Sequence, residues 1–348
     1  MNKRVSKIIR KILLVAIALI LVLALMNWRL IRYGVKQARG QLAIVWNARP
    51  VEEFLEDASF PDTLRQKLLL VEEVRRFAID SLGLKDTKNY KTLFDQKGKE
   101  IMWVVTASEP FQLKPKEWKF PIVGTVPYKG YFDKDDAFAL AQKLEDEGWD
   151  VSVRNPGGWS TLGWFTDPIL SDMLEKSDGE LASLIIHEMV HATIFVKDSV
   201  NFNENLASFI GDRGAEAFLI YRFGEQSHQF SEFIDDDKDY TTYVKHILHG
   251  TKLLDSLYQS MVNEPLAEKT MLKEAMIRRI VDTMDTLDFS SGKKPSARFK
   301  VKLPNNAYFM SFIHYQSSQE ELWKEWRQSF DGNLKAYIAY FKEKFPFL

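Results

Sequence analysis

The sequence predicts a predominantly helical α+β protein with a small mixed sheet, preceded by one N-terminal transmembrane helix. Three observations support this prediction: an apolar run near the start of the chain, long stretches with apolar residues at helical spacing, and a few short β-branched runs. The chain has 348 residues, of which 45% are hydrophobic and 27% are charged. This composition can fill a core, and it excludes disordered and collagen-like chains.

The chain contains six histidines and no cysteine. The missing cysteines exclude a disulfide framework, thiol catalysis and cysteine-ligated zinc or iron–sulfur clusters. Histidine and carboxylate side chains are therefore the strong metal ligands that this sequence offers.

Charge is distributed unevenly along the chain. The first 40 residues hold nine basic residues and no acidic one, which leaves 38 basic and 48 acidic residues in the rest, a net charge of −10. With this net negative charge, the part of the chain after residue 40 offers no basic surface for a nucleic-acid backbone. The sequence also shows no nucleic-acid-binding motif. We expect no nucleic-acid partner.

The first predicted element is the membrane helix. Residues 12–26 are an unbroken apolar run with five basic residues before it. Fifteen helical residues reach about 22 Å, against about 30 Å of hydrocarbon, so a spanning helix needs residues 28–31 as well. We interpret residues 1–33 as a cytoplasmic tail and an uncleaved signal anchor, with a cleaved signal peptide as the alternative. The denser basic residues before the run predict a single-pass inner-membrane protein whose residues 34–348 are periplasmic.

The next elements alternate between helix and strand. Apolar residues at helical spacing predict helical structure over residues 50–84. Residues 101–107 and 150–154 are short runs rich in β-branched residues, which predicts two strands. Between them, residues 133–147 predict an amphipathic helix that is closed by Gly148.

Helices dominate the second half of the chain. Helical patterns extend from residue 168 to about residue 288, and a Ser-Ser-Gly-Lys-Lys-Pro linker follows at 290–295. We expect a strand or extended segment after this linker and a helical region from Glu320 onward. No internal repeat divides the chain, so residues 34–348 are predicted to form one domain.

The strongest candidate site lies on one of these helices. Ser177 and Glu180 form a capping box that starts it, and the helix then carries His187, Glu188 and His191. Two histidines four residues apart lie about 40° apart around a helix, so both imidazoles can bind one ion. Glu188 lies beside such an ion, where it can accept a proton from metal-bound water. A coincidental pair of buried histidines is the alternative interpretation.

A catalytic zinc site needs a third protein ligand and one open position. Glu204 follows His191 by thirteen residues and lies in the segment Asn203-Glu-Asn-Leu-Ala207, where a second helix is predicted to begin. Glu204 is thus an acidic residue within the first turn of the helix that follows the two histidines.

The two motifs, His-Glu-x-x-His and Asn-Glu-x-x-Ala, resemble those of the gluzincin metallopeptidases of thermolysin-like and aminopeptidase-like type. The chain is similar over most of residues 35–345 to the bacterial family described as putative (membrane-associated) aminopeptidases. The other segments that carry this resemblance are Gly40-Gln-Leu42 and residues 120–132, 160–168 and 305–307. The resemblance implies a zincin-like metallopeptidase fold.

This resemblance also implies the roles of the site residues. His187, His191 and Glu204 are the implied ligands of one Zn²⁺ per chain, Glu188 is the implied catalytic base, and the zinc helices lie at about 178–220. Two features depart from the family pattern. The gap between His191 and Glu204 is shorter than in the best-known gluzincins, which makes Glu216 the alternative third ligand. Gly211 stands where relatives are expected to carry Glu.

Hydrolysis at such a site needs a hydrogen-bond donor for the tetrahedral oxyanion, usually Tyr or His. The segment 304–315 offers Tyr308, His314 and Tyr315. We select Tyr315 as the donor, and the other two residues remain alternatives.

A substrate strand is expected just before the zinc helices. The Gly-rich segment 157–165 is predicted to be an edge strand that pairs with an extended peptide. The alternative is a turn that packs its two tryptophans into the core. The predicted substrate-binding residues are Trp159, Ser160, Thr161 and Gly163.

These observations predict a membrane-anchored zinc metallopeptidase that acts on a peptide or protein substrate, with aminopeptidase activity as the first hypothesis. An endopeptidase of envelope proteins and a non-catalytic, zinc-stabilised envelope scaffold are the alternatives. An aminopeptidase must bind a free α-ammonium group, and a cation taken out of water needs an opposite charge. Asp212 and Glu216 are the expected carboxylates for this role.

Overall fold

The computed structural model describes residues 3–120, 124–156, 166–292, 294–316 and 318–345. The chain divides into two compact units, Met1–Trp46 and Asn47–Leu348. The first unit is built from two helices, α1 (Lys3–Met26) and α2 (Trp28–Asn47).

The prediction of a transmembrane helix is wrong. Within the described ranges, no helix combines the length and the apolar character that crossing a bilayer requires. The physical reason lies at Asn27, where α1 has ended and α2 has not yet begun. Residues 28–31, which a spanning segment needed, belong to α2, and the fifteen apolar residues of α1 reach only about 22 Å. The predicted placement as a single-pass inner-membrane protein with a periplasmic domain is wrong for the same reason.

The second unit combines helices with short strands. Its helices in the described ranges are α3 (Val51–Glu56), α4 (Asp62–Asp80), α5 (Lys134–Asp146), α6 (Asp178–His191), α7 (Val200–Phe223), α8 (His228–Ser260), α9 (Leu266–Thr283), α10 (Asn306–Gln316), α11 (Gln319–Phe330) and α12 (Leu334–Lys344). Its strands there are β1 (Arg49–Pro50), β2 (Thr92–Phe94), β3 (Trp103–Ser108), β4 (Trp118–Phe120), β5 (Gly124–Val126), β6 (Tyr128–Tyr131), β7 (Asp150–Arg154) and β8 (Ile169–Leu170).

The described strands form three small sheets. The first has the order β1-β2-β8 and is mixed, because β2 is antiparallel to β1 and parallel to β8. The second is antiparallel with the order β6-β3-β7, and β4 and β5 form a third, two-stranded sheet. The prediction of a predominantly helical α+β protein is thus confirmed, with three small sheets where one was expected.

Local sequence signals account for several elements. The two predicted strands correspond to β3 and β7, which pair with Val105 opposite Val153. The helix predicted between them is α5, where the side chain of Asp133 accepts a hydrogen bond from the backbone N of Asp136 at 3.2 Å. Gly148 follows this helix with φ +87°, a conformation that favours glycine.

The region after the linker differs from the prediction. Pro295–Phe299 forms a 3₁₀ turn, and α10 begins at Asn306, where no helix was expected. Asn306 is fully buried and binds three distant parts of the chain. Its backbone N donates to Asp150 Oδ2 at 2.8 Å, its Nδ2 donates to the carbonyl O of Glu109 at 2.9 Å, and its Oδ1 accepts from the Tyr258 hydroxyl at 2.7 Å. Tertiary hydrogen bonds therefore start this helix.

Helices α6 and α7 pack closely because α7 carries two buried glycines on the face toward α6. A Cβ atom at Gly211 would lie 2.9 Å from the backbone O of Ser183 and 3.2 Å from Cβ of His187. At Gly214 the nearest atoms would be methyl groups of Ile186, at 3.0 Å and 3.1 Å. The spacing of the two helices therefore depends most on position 211, where the contact is backbone.

We expect Gly211→Ala to destabilise the protein by about 1–3 kcal/mol, because a backbone contact cannot yield without separating α6 from α7. Each kcal/mol should lower Tm by about 2–4 °C in a thermal melt. Gly214→Ala is the matched control, since its methyl contacts can rotate and Ala favours a helix over Gly by about 1 kcal/mol. Equal Tm values for the two variants would show that the packing at position 211 adapts.

Candidate metal centre

Three side chains from α6 and α7 bring their ligand atoms to one point. The Nε2 atoms of His187 and His191 are 3.1 Å apart, and each lies 3.5 Å from Oε2 of Glu204. Ligands about 2.1 Å from a tetrahedrally bound zinc are separated from each other by about 3.4 Å. The three residues therefore fit a divalent ion of this size, and within the described residues they form the His/Asp/Glu group spaced to hold a metal.

Helix α6 positions the two histidines. Its start is fixed by a capping box, in which the Glu180 N donates to Ser177 Oγ at 3.2 Å and the Ser177 N donates to Glu180 Oε2 at 3.1 Å. The helix ends at His191, and Thr193 Oγ1 donates to the carbonyl O of Met189 at 2.7 Å just beyond it. His187 and His191 are one turn apart near the end of this helix, so their imidazoles share a face.

The Asn of the second motif holds the connection between the two helices. Oδ1 of Asn203 accepts from the backbone N of Val196 at 2.9 Å, and its Nδ2 donates to the carbonyl O of Val196 at 2.7 Å. This pair of bonds ties residues 192–199 to the first turn of α7. Glu204, the next residue on α7, is thereby placed beside the histidines.

Burial and charge act together on the pKa values of Glu204 and His191. Burial alone would raise the pKa of Glu204, but the charges and hydrogen bonds of His191 and His187 hold this pKa well below its usual value. Burial would likewise lower the pKa of His191, yet Glu204 and Glu188 raise it above its usual value. The cluster thus favours a carboxylate next to a cation, and a bound metal ion can take the place of that proton.

An outer layer of polar groups surrounds His187. Oγ of Ser208 lies 3.5 Å from Nδ1 of His187, and Ser183 Oγ donates to Asp212 Oδ1 at 2.7 Å. Burial raises the pKa of Asp212 to about 6, against the lowering effect of the Ser183 hydrogen bond. Contacts of this kind orient a metal-binding imidazole, here with Nε2 toward the cluster.

One carboxylate oxygen of Glu188 has no hydrogen-bond partner among the described residues. The residue is 7% exposed, and its Oε2 is buried without a hydrogen-bond partner in the described part of the chain. A buried polar atom is normally paired, so an unpaired one indicates a place for water or a ligand. The hydroxyl of Tyr90 is also buried and unpaired among the described residues.

The pKa of Tyr90 responds to the charge of Glu188 at the candidate site. Burial, followed by the charges of Glu188 and Asp167, raises the pKa of Tyr90 well above its usual value. The backbone N of Tyr90 donates to the carbonyl O of Asp167 at 2.7 Å, which holds the residue just before β2, beside the segment that leads into β8. No local pattern in the sequence marks Tyr90 as a site residue, because its φ of +61° is visible only in the folded chain.

A cavity of about 40 Å³ opens beside His191 and Glu204. One wall comes from Thr125 and Val126 of β5 and from Tyr128 at the start of β6, and another comes from the connection between α6 and α7. A second cavity of about 20 Å³ shares Tyr128 and Val200 with the first and reaches Ala307, Met310 and Ser311 of α10. The chain segment 305–307 thus lies near the candidate centre.

The alternative third ligand lies elsewhere. Glu216 follows Glu204 by 12 residues, which is about 18 Å along α7. Its carboxylate pairs with Arg213, and Arg213 also donates to Asp237 Oδ2 at 2.9 Å. Glu216 is therefore part of an ion-pair network, and the structure brings only Glu204 among the two candidates to the histidines.

The other predicted residues have mixed outcomes. The Tyr308 hydroxyl contacts the Tyr243 hydroxyl and accepts a hydrogen bond from Arg298 at 2.8 Å, within the core of α8, α9 and α10. The backbone of α10 includes positions 314 and 315. Six of the predicted site residues lie outside what the structure describes, namely the side chains of His314 and Tyr315 and the substrate residues Trp159, Ser160, Thr161 and Gly163.

Comparison with known proteins links the chain to a family. A family model described as "Putative aminopeptidase" matches residues 32–344. No curated protein matches the chain, and no solved structure does.

Proposed function

Because the chain belongs to the family described as putative aminopeptidases, and because its ligand atoms have metal spacing, we propose that it is a zinc-dependent aminopeptidase. The family name indicates peptide hydrolysis. The observation that carries the proposal is the cluster of His187, His191 and Glu204 with Glu188 next to it in the chain. Three protein ligands with a fourth position left for water or substrate are typical of a catalytic zinc site, which supports the proposal.

In the proposed mechanism, His187, His191 and Glu204 would hold the zinc ion. Bound zinc would supply Lewis acidity toward the scissile carbonyl and toward the attacking water. Glu188 accepts a proton from the attacking water while the water oxygen bonds to the carbonyl carbon. Glu188 then delivers this proton to the leaving amine nitrogen as the C–N bond breaks. The buried, unpaired oxygen of Glu188 supports this role, since a structural metal site has no need of it.

The oxyanion donor is proposed to come from the end of α10. Tyr315 stays our first choice and His314 the second, as the sequence predicts. The Tyr308 hydroxyl is already bonded to Tyr243 and Arg298, which argues against a role for it at the metal.

Metal removal tests the proposal. We expect a chelator to abolish hydrolysis, and one equivalent of Zn²⁺ per chain to restore it, because the water is activated by the metal. The assay offers one peptide with a free N-terminus and the same peptide acetylated. Release of the first residue from the free peptide alone is the expected result. Equal cleavage of both peptides at internal bonds would indicate an endopeptidase, and activity that survives the chelator would contradict zinc dependence.

A further inference from the structure

The cavity at the candidate centre contains a second carboxylate, Asp198, which the mechanism above does not use. We propose that Asp198 binds the α-ammonium group of the substrate. This inference rests on the proposed function and adds to it the group that recognises a free N-terminus. In this proposal Asp198 takes the role of binding the α-ammonium group, for which the sequence predicted Asp212 or Glu216.

The connection between α6 and α7 places Asp198 at the metal site. Asp198 lines the same cavity as His191 and Glu204. Its loop is held by the double hydrogen bond between Asn203 and Val196, two residues before it. The carboxylate therefore lines the same cavity as two of the metal ligands, and the α-amino group of a terminal residue lies beside the metal when its carbonyl is bound there.

The backbone is shaped to hold this carboxylate. Asp198 has φ +57° and Gly124, at the start of β5, has φ +85°. A Cβ atom on Gly124 would overlap Oδ1 of Asp198 and would lie 3.4 Å from its Cγ. The side chain of Asp198 thus occupies the space that a Cβ atom at position 124 would take.

The charge of Asp198 is available to a ligand. Asp198 makes no ion pair with a basic residue of the described chain, and its side chain is exposed. Glu204 faces the two histidines, so Asp198 is the carboxylate of this cavity that remains for another cation. The walls around it include Val126, Val196 and Val200, and a cation that leaves water for such surroundings needs a negative partner.

Binding without turnover tests the assignment. In a zinc-loaded Glu188→Gln protein, calorimetry with Ala-Ala-Ala-amide and with its N-acetylated form measures what the free amine contributes. We expect the free peptide to bind at least about tenfold more tightly, which corresponds to about 1.4 kcal/mol. Adding Asp198→Asn should remove this preference. Asn tolerates a positive φ, so the loop conformation is kept while the charge is lost.

Two further variants make the result specific. Asp135→Asn changes an exposed aspartate of α5 that does not line the cavity, and it should leave the preference intact. Gly124→Ala keeps the charge of Asp198, but the new Cβ would overlap Oδ1 of Asp198, and any side chain is strained at φ +85°. Binding of the free peptide should therefore weaken, as it does in Asp198→Asn. Zinc content is measured for every variant.

The proposal is overturned if Asp198→Asn or Gly124→Ala keeps the tenfold preference, or if Glu188→Gln alone binds both peptides equally. Failure of the proposed function would look different, because the unmodified zinc-loaded protein would then release no N-terminal residue even though the free amine is preferred in binding.

Discussion

Replacing Glu188 by Gln should reduce peptide hydrolysis by about 100- to 10,000-fold and leave the zinc content unchanged. The amide has the shape of the carboxylate but cannot accept a proton, and general base catalysis contributes a factor of this size. The three ligands His187, His191 and Glu204 are untouched by the change. We expect the loss in kcat, measured as release of the first residue from a free peptide, with metal content determined on the same sample.

A matched control is available on α9. Glu274 is an exposed helical glutamate outside the cluster, so Glu274→Gln makes the same chemical change without touching the site. Its activity should equal that of the unmodified protein. If Glu188→Gln turned over peptide at the unmodified rate, Glu188 would not be the base, and the proposed mechanism would be wrong.

Local signals were sufficient where a short segment determines its own structure. The capping box at Ser177 and the histidines one turn apart are properties of α6 alone, and both appear in the structure as the sequence indicates. The same applies to α5 between Asp133 and Gly148. These elements could be predicted because residues no more than four positions apart make the decisive contacts.

Features that depend on distant contacts could not be predicted in this way. The start of α10 rests on the bonds of Asn306 to residues more than 40 positions away. Tyr90 and Asp198 reach the site only through the packing of other segments, and no local pattern marks them. The wrong prediction of a transmembrane helix has a local cause, because the helix break at Asn27 separates the apolar run from residues 28–31.

The choice between Glu204 and Glu216 shows the same limit. Both acids lie on α7, and the sequence does not tell which turn of this helix faces the histidines. The hydrogen bonds of Asn203 to the loop after α6 set that alignment, and they bring Glu204 to within 3.5 Å of both imidazoles.

Replacing Glu204 by Ala should therefore release zinc. The change removes one of three protein ligands, and we expect the zinc affinity to fall by more than about 100-fold, since mutations of outer residues alone lower it about 10–100-fold. A site that no longer holds metal loses the stabilisation that binding confers on the folded state, so Tm should fall as well. Zinc content after dialysis and thermal melts in the presence of Zn²⁺ measure the two effects.

Glu216→Ala is the matched variant on the same helix. It removes the ion pair with Arg213, a partly exposed contact that contributes about 0–1 kcal/mol, and it should leave zinc in place. Melts repeated with a chelator separate the causes, because the difference in Tm between Glu204→Ala and the unmodified protein must shrink when neither holds metal. Zinc lost from Glu216→Ala but kept by Glu204→Ala would move the third ligand to Glu216, and would mean that α7 is aligned with the histidines differently from the structure described above.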